Sequence, residues 1–374
     1  MSRRTSKIIS GALALAILLS QILALHIGAE GELHISAASA CVIEAESGEM
    51  LYAKHADERR GMASTTKIMT AILAIEALPQ DTVVTVSDTC CGIEGSSLYL
   101  RAGEKLTLED LLYGLLLRSA NDAAVAIAIA TDGSLDAFVA RMNDKAMALG
   151  LKDTHFDNPH GLDGATHYTT ARELALLGAY CMKNDTFSKI VSTKRHTIAK
   201  GTDSERLLIN HNRMLSSYDG AVGIKTGFTK KCGRTLIGAA RREGITLISV
   251  TLDAPSDWSD HAKMLDLGFS KIEYRTVVSP LEYTYELPVI GAVCDTVRVA
   301  NTEAVRRILR SGEENASVDI VLPHYLSAPI KKGERVGEIR IYYPDGASAI
   351  CPIVALSDAP LKQTRKHFFS FFQP

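Results

Sequence analysis

The chain lacks an excess of charge of either sign. Across 374 residues, 41 Lys and Arg face 43 Asp and Glu, for a formal charge of −2. That balance gives no basic footprint, so no nucleic acid is expected as a partner. The 11 histidines form no H-E-x-x-H and no tight His/Asp/Cys cluster, which argues against zinc peptidase chemistry. There is no C-x-x-C, and seven cysteines is an odd number, so at least one thiol stays unpaired. Cys41, Cys232, Cys294 and Cys351 sit in or near strand-like contexts and read as small buried hydrophobes. No repeat or low-complexity segment occurs. With 46% apolar residues the composition is globular, which excludes disorder, collagen and a multi-span membrane protein. The length points to two domains.

What is present is concentrated first at the ends. Arg3, Arg4 and Lys7 precede an apolar run from Ile8 to Leu25, and the small residues Gly28-Ala29 follow it. Residues 1–29 therefore read as a secretory signal peptide rather than a retained span, and the protein is expected to be exported. Its removal takes away three basic residues and no acid, leaving a net charge of −5. At the other end, Lys362, Arg365 and Lys366 lead into Phe368, Phe369, Phe371 and Phe372. Basic residues followed by aromatics suit an anionic membrane interface, so residues 361–374 read as a short attachment tail.

Between the ends, Ser64 to Leu78 carries an apolar helical pattern stopped by Pro79. Thr107-Leu-Glu-Asp110 resembles a capping box opening a helix through Leu117. The Ala/Ile/Val run Ala123–Ala130 suits a fully buried helix, and further helices are predicted over Ser134–Leu149 and Thr170–Lys183. After Asp219 the texture turns to strands: Val222–Thr229, Arg234–Ala240 and Ile245–Asp253, the last two joined by a turn at Arg242-Glu243-Gly244. A helix over about 257–272 follows. Beyond Tyr274 only short strands recur, around 283–287, 296–300, 317–322, 337–342 and 348–354. The pattern predicts an α-rich α/β domain over 30–276 and a small β-sandwich-like domain over 277–360.

Three short segments carry chemistry when read together. Ser64-Thr65-Thr66-Lys67 places a serine and a lysine at i and i+3 on one helix face, at a helix N-terminus. A serine beside a lysine of depressed pKa is a nucleophile–base pair. Alone it equally reads as an N-cap and a solvated lysine. Ser119-Ala120-Asn121 puts a hydroxyl and an amide at a turn between buried helices, suited to proton relay and to holding a substrate backbone. Lys225-Thr226-Gly227 sits on a predicted strand, where Lys225 can meet a carboxylate and Gly227 allows close backbone approach.

In this order, on helix, loop and strand, the set resembles the active-site serine family of penicillin-binding proteins and serine β-lactamases. The likeness is to its low-molecular-mass members, the serine-type D-alanyl-D-alanine carboxypeptidases. Glu94-Gly-Ser-Ser97, Arg101-Ala-Gly-Glu-Lys-Leu106, Asn158-Pro-His-Gly-Leu162, His167-Tyr-Thr-Thr-Ala171 and Asp219–Thr229 also look like that family. The resemblance implies an α+β transpeptidase-type catalytic domain, an antiparallel sheet flanked by helices, followed by a β-rich domain. It implies acyl transfer on peptidoglycan stem peptides ending in D-Ala-D-Ala, with β-lactams as inhibitors and with no metal or cofactor needed. Ser64 would be the nucleophile, Lys67 the general base and Ser119 the proton relay. Asn121, Lys225, Thr226 and Gly227 would bind substrate, and the backbone N–H groups of Ser64 and Phe228 would form the oxyanion hole. His160 and His211 lie near motif positions that border the cleft.

A class A β-lactamase shares these triplets but deacylates with a Glu in the loop after the middle one. Here no Glu occurs between Glu109 and Glu173, and the loop carries Asp153, Asp157 and Asp163 instead. Slow release of β-lactams is therefore expected. A wall-binding relic without chemistry would have no need to keep Ser64, Lys67, Ser119 and Lys225 together.

Overall fold

The computed structural model describes residues 33–363, apart from 311 and 313–315. The expected signal peptide and nearly all of the basic, aromatic tail lie outside the described residues. Two compact units emerge: the chain up to Ala240 together with Ile248–Asp266, and Arg241–Leu247 together with the chain from Leu267 onward.

Along the chain come β1 (Ser39–Glu44), β2 (Met50–Lys54), a 3-10 turn Ala63–Thr66, α1 (Lys67–Ala77), β3 (Val83–Thr85) and β4 (Lys105–Thr107). Then follow α2 (Leu108–Leu117), α3 (Asn121–Asp132), α4 (Leu135–Ala148), α5 (Ala171–Met182), α6 (Asp185–Ser192), β5 (Arg195–Ile198) and β6 (Arg206–Ile209). After α7 (Met214–Ser217) come β7 (Ala221–Thr229), β8 (Gly233–Arg242), β9 (Ile245–Leu252) and α8 (Asp257–Lys271). The principal sheet runs β2-β1-β9-β8-β7. Its β8–β9 hairpin turns at Glu243 and Gly244, both at positive φ, the geometry that matches strand twist.

Local chemistry starts the helices. Thr107, Ser134 and Thr170 each accept the backbone N–H three residues on, from Asp110, Ala137 and Glu173, satisfying donors that a helix start leaves open. Small side chains let α3 bury every residue from Asn121 to Ala128. The core of this unit joins α1, α2, α3 and α5 to the inner residues of β1, β8 and β9. The sheet sets up the site, because the 3-10 turn and α6 both pack on β7.

Besides the short β2, β3, β4 and α7, two further features of this unit went unpredicted. The stretch after Lys183 forms α6 and the β5–β6 hairpin, elements too short for a period to emerge from sequence. Ser64 lies in a 3-10 turn rather than in the α-helix itself, which begins at Lys67.

The second unit has its own core, with Val299, Ile339, Ile341 and Ile353 fully buried. It contains β10 (Ile272–Val278), β11 (Thr284–Ile290), β12 (Thr296–Ala300), β13 (Val305–Arg310), β14 (Ser317–Val321), β15 (Leu326–Ser327), β16 (Arg335–Tyr342) and β17 (Ser348–Ala355). Six of them form one sheet in the order β14-β16-β17-β12-β11-β15, while β10 and β13 pair separately. Neither β10 nor β13 was expected. Arg306, Arg307 and Arg310 interrupt the apolar alternation of β13, and β10 follows α8 without a break.

Candidate active site

The turn before α1 is tied to its own backbone. Thr65 Oγ1 donates to the Met62 carbonyl at 2.6 Å and Thr66 Oγ1 to the Ala63 carbonyl at 2.8 Å. Ala63 itself sits at φ +46°, a left-handed conformation that costs a residue with a Cβ about 1–3 kcal/mol. Both threonine hydroxyls are thereby spent on the turn, and the Ser64 hydroxyl faces Lys67.

Lys67 is fully buried. Its Nζ lies 2.9 Å from Ser64 Oγ and 2.7 Å from Asn121 Oδ1, and it also reaches the His160 carbonyl. Burial is the main reason its pKa falls well below that of a solvated lysine; Lys225 adds to the depression, and Asp122 opposes it. A neutral amine at this distance can take the serine proton.

The strand β7 is pressed against the same turn. A Cβ on Gly227 would stand 2.9 Å from Ser64 N and 2.3 Å from Thr235 Oγ1, so only glycine lets the two backbones approach this closely. On the other side, a Cβ on Gly161 would come within 2.0 Å of the Ala63 carbonyl. The nucleophile turn is thus clasped between β7 and the Asn158–Leu162 loop.

A cleft of about 880 Å³ opens over Ser64; Ser119, Thr226, Gly227, Phe228 and His211 are among its lining residues. Ser119 is at φ +62° and nearly buried. Phe228, by contrast, is 63% exposed at the rim. The His211 ring has its pKa held down to about 4, by burial first and then by Lys225 and Arg118.

Three expected roles look different in space. Asn121 was expected to hold the substrate backbone. Its Oδ1 is engaged with Lys67 and its Nδ2 donates to the Glu94 carbonyl, so here it braces the lysine. Lys225 was expected to meet a carboxylate directly, yet it is 1% exposed and its Nζ donates to the Thr226 carbonyl at 2.7 Å. It lies behind the wall that Thr226 forms, and burial brings its pKa down to about 7. His160 contributes its carbonyl rather than its ring, whose Nδ1 accepts the Leu162 N–H at 3.2 Å.

The cleft also contains residues that sequence reasoning missed. Arg234 on β8 pairs across the ladder with Phe228 and lines the cleft. Its guanidinium binds the buried Asp257 carboxylate at 2.9 Å and lies 5.8 Å from the Trp258 ring. Arg213, two residues after His211, also lines the cleft. No motif flags either arginine, because 23 residues separate Arg234 from Asp257 in the chain. The loop between α4 and α5 contains no Glu, and Glu173 on α5 is engaged elsewhere, its carboxylate accepting from Asp153 N and Thr154 Oγ1. Among the described residues no cluster of His, Cys, Asp and Glu is arranged to hold a metal ion.

An antiparallel sheet edged by a K-T-G strand, with a serine–lysine pair clasped against it, defines the penicillin-binding transpeptidase class of active-site serine enzymes. The solved penicillin binding protein 5 from Haemophilus influenzae superposes with TM-score 0.64 at 26% identity, over 88% of this chain and 99% of that one. The Streptomyces K15 DD-transpeptidase gives 0.61 at 35% identity, over 64% of this chain and 99% of that one. The D-alanyl-D-alanine carboxypeptidase family model matches residues 27–256, and the model for the C-terminal domain of penicillin-binding protein 5 matches residues 275–360. The chain is 32% identical to D-alanyl-D-alanine carboxypeptidase DacF of Bacillus subtilis, covering 87% of each. It is 31% identical to DacA of Escherichia coli, covering 87% of this chain and 84% of that one.

The chain belongs to the D-alanyl-D-alanine carboxypeptidase family and is a serine-type enzyme of that activity, with a β-rich C-terminal domain of the penicillin-binding protein 5 type. Membership implies a D-Ala-D-Ala peptide as substrate and β-lactams as ligands.

Proposed function

We propose that this enzyme trims the terminal D-Ala from peptidoglycan stem peptides through an acyl-enzyme on Ser64. Lys67, kept neutral by burial, removes the Ser64 proton as the oxygen attacks the penultimate D-Ala carbonyl. The N–H groups of Ser64 and Phe228 receive the developing oxyanion, which is where electrostatic preorganisation contributes most. Ser119 relays that proton from Lys67 to the departing D-Ala amine, and water then releases the acyl group. Thr226 and Arg234 face the terminal carboxylate, with Lys225 supplying positive potential from behind. Asn121 holds Lys67 in line.

The observation that carries this reading is the 2.9 Å contact between the fully buried Lys67 Nζ and Ser64 Oγ at the floor of the cleft. Because Glu173 is engaged with the backbone and Thr154, a β-lactam acyl-enzyme should be long-lived, so the protein is inhibited by penicillin rather than destroying it. Incubation with a fluorescent penicillin tests the reading. Wild type should be labelled covalently and Ser64→Ala should not; an unlabelled wild type refutes the assignment. Release of D-Ala from a diacylated pentapeptide measures the peptidase reaction itself.

The same reading places the enzyme outside the cytoplasmic membrane, held there by the tail Lys362–Pro374 on an anionic bilayer. Flotation of the full chain with anionic but not neutral vesicles is expected, and loss of flotation without residues 364–374 ties attachment to the tail.

A further inference from the structure

His167 lies outside the cleft wall, yet its ring reaches the nucleophile turn by a single directed path. The side chain is buried, and Nδ1 accepts the backbone N–H of Asp157 at 2.9 Å. A ring nitrogen that accepts an N–H is itself unprotonated, so the proton of the neutral imidazole resides on Nε2. Nε2 lies 2.7 Å from Thr66 Oγ1 and donates to it. Thr66 in turn donates to the Ala63 carbonyl at 2.8 Å. The path ends on the left-handed residue immediately before Ser64.

The ring is firmly seated. Residues Tyr168 and Thr169, which follow it, bridge to His155 and Arg60, and Arg60 lies just ahead of the nucleophile turn. The Phe156 ring meets the imidazole edge-on at 5.9 Å. Burial keeps His167 neutral, with a pKa near 4. Asp157 and Asp163 pull that value upward, whereas His155 and Lys67 push it down. Protonation would place an N–H on Nδ1 facing the N–H of Asp157, so the tautomer is set by the backbone.

We propose that His167 is a positioning residue for acylation: by donating to Thr66, it holds the Ala63–Ser64 turn so that the Ser64 hydroxyl stays in line with Lys67. This rests on the assignment of Ser64 and Lys67 above. Without the donor, the Thr66 hydroxyl is free to rotate off the Ala63 carbonyl, and the left-handed turn loses its brace. Small displacements of a nucleophile are expensive in rate, on the order of a hundredfold for about 1 Å.

Two substitutions separate the donor from the ring that fills the space. In His167→Gln the longer side chain brings an amide N–H to Thr66 but gives up the Asp157 contact. In His167→Asn the shorter side chain keeps an acceptor for Asp157 and cannot reach Thr66. Acylation rates with a fluorescent penicillin are measured by stopped flow well below the melting transition of each variant, together with kcat and KM for D-Ala release. His167→Asn is expected to acylate at least about tenfold more slowly, with full final labelling and little change in KM, while His167→Gln stays within about threefold of wild type. Thr66→Val should slow acylation similarly, and adding His167→Asn to it should change nothing more. Equal effects of Asn and Gln, no effect of either, or additivity with Thr66→Val would each overturn the proposal. Wild type still labels on Ser64 in all of those cases, which distinguishes them from failure of the nucleophile assignment.

Discussion

Lys225→Met is the substitution that most directly weighs what the active site costs the fold. Burial takes the Lys225 pKa from the usual 10.5 down to about 7. Between those values the folded chain binds fewer protons at this site than the unfolded chain does. Stability contributed by this lysine therefore rises with pH, and its cost is greatest at and below pH 7. At about 1.4 kcal/mol per tenfold, the buried ammonium costs about 4 kcal/mol at pH 7 and about 1 kcal/mol at pH 10. Methionine fills a similar volume without charge. It forfeits the 2.7 Å bond to the Thr226 carbonyl, a loss of about 1 kcal/mol that does not depend on pH. Lys225→Met should accordingly be about 3 kcal/mol more stable than wild type at pH 7 and hold no advantage at pH 10. Urea unfolding at the two pH values, at constant ionic strength, measures the difference. A variant no more stable than wild type at pH 7, or a gain that persists undiminished at pH 10, would refute the reasoning. D-Ala release should fall sharply in the stabilised protein, as expected where function requires a destabilised group.

Two other substitutions probe the walls of the site. Arg234→Gln should raise KM for a D-Ala-D-Ala peptide about tenfold with a smaller change in kcat, the scale of one charge-assisted hydrogen bond. A peptide with an amidated C-terminus should show no such loss, and an equal loss for both would remove Arg234 from carboxylate recognition. Asp122 is fully buried and accepts from Ser97 Oγ and from the N–H groups of Leu98, Leu100 and Ala123. Asp122→Ala leaves several of those donors unpaired and should destabilise by about 3 kcal/mol or more in urea unfolding; a loss under about 1 kcal/mol would mean that the loop re-pairs freely.

Much of the site could be read from the chain because its parts are local. Ser64 and Lys67 fall three residues apart, so any helical turn brings them onto one face. Thr107, Ser134 and Thr170 cap their helices through the next three residues alone. The β8–β9 hairpin follows from a short turn between apolar runs. The resemblance of the three triplets to a known family then supplied the order in which helix, loop and strand converge.

The remaining features depend on partners that no local pattern encodes. His167 finds Thr66 across 101 residues, and Lys67 finds the main-chain carbonyl of His160 across 93; a carbonyl carries no residue identity to be read. Asn121 turned from substrate toward lysine because burial leaves Lys67 in need of an acceptor there. Lys225 withdrew behind Thr226 because β7 is buried on both faces from Gly223 to Lys225 and the ammonium turns back to the Thr226 carbonyl. Arg234 entered the cleft because Asp257, itself buried, holds its guanidinium. The short α6, the β5–β6 hairpin and the β10–β13 pair stayed hidden for a related reason: each is stabilised by packing or pairing rather than by its own period. Sequence alone singled out Ser64, Lys67, Ser119, Asn121 and Lys225 as candidates for the chemistry and gave the order of the elements that carry them. Tertiary structure decided which of them touch, how charged they are in the folded state, and which neighbours hold them still, because burial and long-range hydrogen bonding exist only once the chain has closed on itself.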